Sequence, residues 1–196
     1  MKELKRFCSF LVVAILFISC DKSTDFYTIQ GEAQGSTYSI KYIAIEEKVT
    51  KNQIDSLLTA FDLSLSTYRP DSKISKINTG DSTVVVDEFF AETFQLSNQI
   101  YKETNGLFDP TIGVLVNAYG FGPNKKQENL SQKQIDSLLQ FVGFDKIKLN
   151  ENKTISKKHN QTFIDFNAIA QGYSVDVVVN YLKTKGIENA IVEIGG

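Results

Sequence analysis

Ile164-Asp165-Phe166-Asn167-Ala168-Ile169-Ala170-Gln171-Gly172-Tyr173-Ser174-Val175-Asp176, running on to Gly186, decides how this chain is read. Its two halves obey different periods. Thr162 to Phe166 is short and rich in β-branched and aromatic residues, and predicts a strand. From Gly172 to Lys185 the apolar residues Val175, Val178, Val179 and Leu182 recur at helical spacing. Gly186 then stands at C′, where a left-handed residue closes a helix. The alternating run Ile191 to Ile194 predicts a further strand.

Upstream the same two signals recur. Thr37 to Ile45 alternates, with Tyr38, Ile40 and Tyr42 on one face, and Gly31 to Gly35 reads as the turn before it. Thr50 and Gln53 fit a capping box ahead of the stripe Ile54, Leu57, Leu58 and Phe61. Val84 to Val86 reads as a short strand, and Asp87 caps a helix that buries Phe90, Phe94 and Ile100 and ends before Gly106. Ser131 and Gln134 make a second capping box. Ile147 to Leu149 reads as a strand that pairs with Thr162 to Phe166 around a polar turn containing Asn150, Asn152 and Lys153. Helices and strands mix without strict βαβ alternation, which predicts an α+β fold built as a single mixed α/β domain.

The N-terminal residues are not fold. Lys2, Lys5 and Arg6 precede an apolar run from Phe7 to Ile18, which at about a dozen residues is short of the roughly 20 that span a bilayer. A basic head, a short apolar stretch and the small residue Ser19 read as a secretory signal over 1–19. Cys20 follows, and Leu16-Phe17-Ile18-Ser19-Cys20 resembles a lipobox, with Phe17 where Leu is usual. A lipid on Cys20 implies export and anchoring on the periplasmic or outer face of a bacterial membrane. Residues 20–27 then form the lipidated cysteine and tether, and 28–196 the folded part. Cys8 lies in the leader, so the exported chain has no cysteine pair for a disulfide. Losing Lys2, Lys5, Arg6 and Glu3 moves the formal charge from −2 to −4, the wrong sign for a nucleic-acid surface. The chain stops on Glu193-Ile194-Gly195-Gly196, a strand entering a turn, which suggests an incomplete domain.

Four polar, glycine-bearing segments interrupt this framework: 31–37, 66–78, 104–122 and 164–176. Taken singly each has a plain structural reading, as a turn, a helix break or a cap. Together they hint at a ligand. Gly35, Gly106 and Gly172 let backbone approach a phosphate, the start of the Gly172 helix offers free N–H groups to an anion, and Tyr68 and Tyr119 could stack on a ring. Asp165 with a nearby carbonyl is an oxygen-rich setting of the kind Mg²⁺ takes. The lone His159 has no partner for a zinc site, and no nucleophile elbow, Walker A or dinucleotide glycine motif occurs.

In order and spacing, Ser66-Thr67-Tyr68-Arg69-Pro70-Asp71-Ser72, Gly106-Leu107-Phe108-Asp109-Pro110-Thr111 and Ile164 to Asp176 resemble the FAD:protein FMN transferases, the ApbE-type family. The likeness covers most of 28–196 and implies the family's mixed, T-fold-related architecture. It implies transfer of FMN from FAD to a Thr or Ser hydroxyl of an acceptor protein, with Mg²⁺ and release of AMP; membrane redox subunits are the acceptors expected beside a lipid anchor. By position it implies FAD contacts at Gln34, Tyr68, Leu107, Phe108, Asp109, Asp165 and Gln171, and a Mg²⁺ ligand in the backbone oxygen of Ala168. The catalytic residues and remaining metal ligands are expected beyond residue 196. Gln34 departs from the usual Met, and Gln171 from the usual Lys or Glu. A Mg²⁺-dependent FAD pyrophosphatase and a non-catalytic flavin-binding lipoprotein are the alternatives.

Overall fold

Ser36–Ala44, the most strictly alternating run, is the middle strand of a three-stranded antiparallel sheet in the computed structural model, which describes residues 23–123 and 129–195. It is β2; β1 (Asp25–Ala33) and β5 (Ala190–Ile194) flank it. Between them come α1 (Lys51–Leu65), α2 (Lys73–Asn78), α3 (Glu88–Glu103), α4 (Gly113–Ala118), α5 (Gln132–Leu139), a hairpin of β3 (Ile147–Leu149) and β4 (Ile155–Lys157), and α6 (Asn167–Thr184). The α+β class read from the sequence holds. Cys20 and the leader lie outside the described residues, among which no helix is long and apolar enough to cross a membrane.

Alternation places Tyr38, Ile40, Tyr42 and Ala44 on the inner face of β2, each nearly or fully buried. Against them pack Val49 just ahead of α1, Ile54 and Leu58 from its first half, and Val178 and Leu182 from α6. A second core lies at the other end of these helices, where Phe61 and Leu65 meet Ile74, Ile77, Phe90, Phe94, Ile164, Phe166 and Ala170. Helices α1 and α6 therefore run through both cores.

Caps set the helix starts. The capping boxes at Thr50/Gln53 and Ser131/Gln134 are formed. The Asp87 carboxylate accepts from the Phe90 N–H at 3.0 Å, and Ser72 Oγ from the Ser75 N–H at 3.1 Å.

Five local readings are corrected. First, the turn before β2 is only Gln34-Gly35, with φ of 55° and 75°, while Gly31 to Ala33 are strand, in register with Tyr38 to Ser36. A two-residue turn of left-handed residues matches the twist of its strands. Gly31 is needed because its partner Tyr38 lays its ring across the backbone: a Cβ there would sit 2.6 Å from Tyr38 Cε1. Second, β1 begins at Asp25, so Asp25, Phe26 and Tyr27 lie in the sheet and not in the tether. Third, Val84 to Val86 form no strand; the Val86 N–H instead donates to the Lys153 carbonyl at 2.8 Å. Fourth, Thr162 to Phe166 joins no sheet, having one parallel bridge, Phe163 to Ile112, and β3 pairs with β4. Fifth, α6 starts at Asn167, five residues before Gly172.

Candidate functional site

Three of the four polar segments meet where the two cores join. The β1–β2 tip (Gln34, Gly35), the last turn of α1 with its following loop, and the first turn of α6 (Asn167, Ala170, Gln171) enclose a cleft of about 570 Å³. Phe61 and Leu65 from α1, with Ala170, form its apolar wall. Asp62, Ser66, Tyr68 and Arg69 bring polar and charged groups to its rim.

Side chains rather than ladders hold this convergence. Ser72 Oγ donates to the Ser66 carbonyl at 2.7 Å and folds the loop after α1 back on itself. Arg69 donates twice to Asp71, through Nε at 3.2 Å and Nη2 at 2.9 Å, which holds its guanidinium at the mouth. Asn78, the last residue of α2, brackets Ile164: its Nδ2 donates to the Ile164 carbonyl and its Oδ1 accepts the Ile164 N–H, both at 2.8 Å. The Asp165 N–H donates to the Pro110 carbonyl at 2.7 Å. Asn167 Nδ2 reaches Thr67 Oγ1 at 3.3 Å. Residues 66–78, 107–113 and 163–167 are thus one hydrogen-bonded unit.

Two carboxyls are shifted by burial. Asp165 lies largely inside the protein, and burial raises its carboxyl above the usual carboxylate value, opposed by the Asn167 N–H that it accepts at 2.8 Å. Asp62 is raised by burial too, opposed by the charge of Arg69 and the backbone N–H of Gln34. The first turn of α6 borders the same cleft, and the positive end of the helix dipole favours an anion there.

Of the residues singled out in the sequence, Gln34, Tyr68 and Gln171 line the cleft. Asp165 and Ala168 flank the cleft residue Asn167 without lining the cleft themselves. Leu107, Phe108 and Asp109 do not line it. Leu107 is 93% exposed, and Asp109 Oδ1 accepts from the Thr111 N–H and hydroxyl at 2.8 and 2.6 Å, shaping a turn. The rim is touched instead by the chain after α4, where the Tyr68 hydroxyl donates to the Phe121 carbonyl at 3.2 Å. Asp62 escapes sequence reading because it sits beside Phe61 in an ordinary amphipathic helix.

A flavin nucleotide fits this lining. Apolar walls suit a ring, the α6 start and Arg69 suit phosphate, and Gln34 Nε2 is buried without a partner. Mg²⁺ fits less well. It wants near-octahedral oxygen ligands. The cleft lining offers the Asp62 carboxylate, with Asp165 and Ala168 close by in sequence to the lining residue Asn167, and the described residues hold no group of three His, Cys, Asp or Glu that could bind a metal.

Comparisons with known proteins point to a single family. A sequence model of the ApbE family matches residues 34–196. The FAD:protein FMN transferase of Haemophilus influenzae is 33% identical over 209 residues, spanning 100% of this chain and 60% of that protein. The FAD:protein FMN transferase of Vibrio cholerae is 34% identical over 201 residues, 95% of this chain and 58% of that protein. The solved flavin transferase ApbE from Vibrio cholerae superposes with a TM-score of 0.80 at 31% identity, over 89% of this chain and 58% of its own. The apo flavinyl transferase ApbE of Pseudomonas stutzeri gives a TM-score of 0.80 at 28% identity, over 88% and 57%. The chain spans about three fifths of the length of the curated relatives it matches.

Proposed function

The chain belongs to the ApbE family, and from that premise we propose that the protein moves FMN from FAD to a Thr or Ser hydroxyl of an acceptor protein, releasing AMP. The observation that carries this reading is the convergence of Gln34, Tyr68 and Gln171 on one cleft. In the transfer, the acceptor oxygen bonds to the FMN-side phosphorus, the bond to the AMP oxygen breaks, and the hydroxyl proton leaves. Such chemistry asks a protein chiefly for position and charge. Arg69 and the α6 start face the pyrophosphate, while Phe61, Leu65 and Tyr68 hold a ring out of water. The proposal includes dependence on Mg²⁺: the Ala168 backbone oxygen would be one of its ligands, and the metal would supply positive charge to offset that of the pyrophosphate.

Full-length protein incubated with FAD, Mg²⁺ and a candidate acceptor domain is expected to yield a covalently fluorescent acceptor and AMP, and chelation to stop both. FMN and AMP released with no labelled acceptor would instead mark a pyrophosphatase. FAD held without AMP release would mark a binding protein.

The proposal extends to export and lipid attachment at Cys20, with residues 1–19 removed. The lipobox-like sequence supports it, and membrane redox subunits are the acceptors within reach of such an anchor. Cys20→Ala should move the protein from the membrane to the soluble fraction. A variant that stays membrane-bound rules out the lipid.

A further inference from the structure

We propose that Asp62 is a specificity-determining residue of the cleft, accepting a hydrogen bond from a ring N–H of the dinucleotide. The inference rests on the flavin-nucleotide reading above. Asp62 lies in the last turn of α1 and lines both the main cleft and a groove of about 390 Å³ between β1 and α1. Among the described residues, the groups that act on its carboxylate are the Gln34 backbone N–H and the charge of Arg69. A carboxylate offers about four acceptor positions, so most of its capacity remains unspent.

A second unspent group lies in the same wall. One end of the Gln34 side-chain amide meets the buried Ser174 hydroxyl at 3.3 Å, while its Nε2 is buried without a partner. Buried polar groups are normally satisfied, so a polar ligand edge is the missing partner of this wall. Phosphate is the wrong chemistry beside Asp62, because like charges repel most strongly where water is excluded. Sugar suits the neighbouring Phe61, Leu65 and Ala170 poorly, whereas a ring edge, which carries both donors and acceptors, matches the apolar surface, the Asp62 acceptor and the Gln34 Nε2 donor. The pyrophosphate then lies toward Arg69 and the α6 start, so Asp62 orients the dinucleotide by accepting at one end and repelling at the other. Two ring groups carry the required donor: the exocyclic amine of adenine and the imide N–H of the flavin.

The test is FAD titration of the full-length protein by flavin fluorescence, with Asp62→Asn beside it. Asparagine keeps the size and a carbonyl to accept the Gln34 N–H. The dissociation constant is expected to rise about tenfold or more, with the melting temperature within about 2 °C. Simple removal of a like charge predicts the opposite sign, so unchanged or tighter binding overturns the proposal. On the unaltered protein, ADP is compared with its N6,N6-dimethyl form and riboflavin with N3-methylriboflavin. One methylation is expected to weaken binding and so identify the ring; neither doing so overturns the proposal even where the variant is unstable. An unaltered protein that binds no FAD overturns the functional reading, and this inference with it.

Discussion

Phe166→Ala is expected to destabilise the protein by about 3–5 kcal/mol, the usual cost of deleting a fully buried aromatic side chain. Phe166 has no exposed surface, and its ring meets that of Phe90 edge-on, with centroids 5.4 Å apart. It joins α3 to the start of α6 inside the second core. The surrounding groups cannot close the cavity cheaply, because Phe90 and Ile164 are themselves fully buried in the same cluster. The site should suffer as well. The Phe166 carbonyl accepts the Ile169 and Ala170 N–H groups at 2.9 and 2.8 Å, so this residue sets the first turn of the helix that borders the cleft. Denaturant unfolding of the full-length protein gives the first effect and FAD titration the second. Phe166→Leu, which keeps most of the apolar volume, should cost much less than the alanine variant. A loss below about 1 kcal/mol in Phe166→Ala would show that the second core tolerates repacking here.

Asn78→Ala comes next, with an expected cost of about 2–4 kcal/mol. The substitution removes both hydrogen bonds to Ile164 and leaves its N–H and carbonyl buried without partners. An orphaned buried polar group costs about 1–3 kcal/mol, and some relaxation toward water is to be expected for a pair. Asn78→Asp separates the two bonds. It keeps an acceptor for the Ile164 N–H and loses the donor to the carbonyl, so its cost should fall between wild type and alanine. Native-state hydrogen exchange supplies a local readout: the Ile164 amide should lose protection in Asn78→Ala and retain most of it in Asn78→Asp. Equal protection in both variants would mean that the Asn78 side chain does not hold this segment.

These two residues also mark the line between what could be read in one dimension and what could not. Both capping boxes and the Asp87 cap were legible, because each is settled by a donor and acceptor three residues apart. The inner face of β2 was legible for a similar reason, since alternation alone places Tyr38, Ile40 and Tyr42 together. The end of α6 followed from its apolar spacing and from Gly186, which has a φ of 69°. Its start did not. The residue preceding the helix, Phe166, carries no capping group, and Asp165, one place earlier, accepts the Asn167 N–H instead.

The same limit explains the strands. Thr162 to Phe166 has the composition of a strand and, at Phe163, a single parallel bridge. Its partners, however, are the Asn78 side chain and the Pro110 carbonyl, and nothing near it in sequence announces either. The end of β1 was hidden because its inward positions Gly31 and Ala33 are small, Gly31 to admit the Tyr38 ring, and so carry little hydrophobic signal. At the site, the motifs pointed to Gln34, Tyr68 and Gln171, which line the cleft, and missed Asp62, a helix residue with no distinguishing neighbours. Periodicity, caps and left-handed glycines act within a turn or two of chain, so the sequence alone determines the elements that depend on them. Which of those elements close around a cleft depends on side-chain pairs far apart in sequence, 86 residues for Asn78 and Ile164 and 140 for Gln34 and Ser174, and only packing in three dimensions selects those pairings.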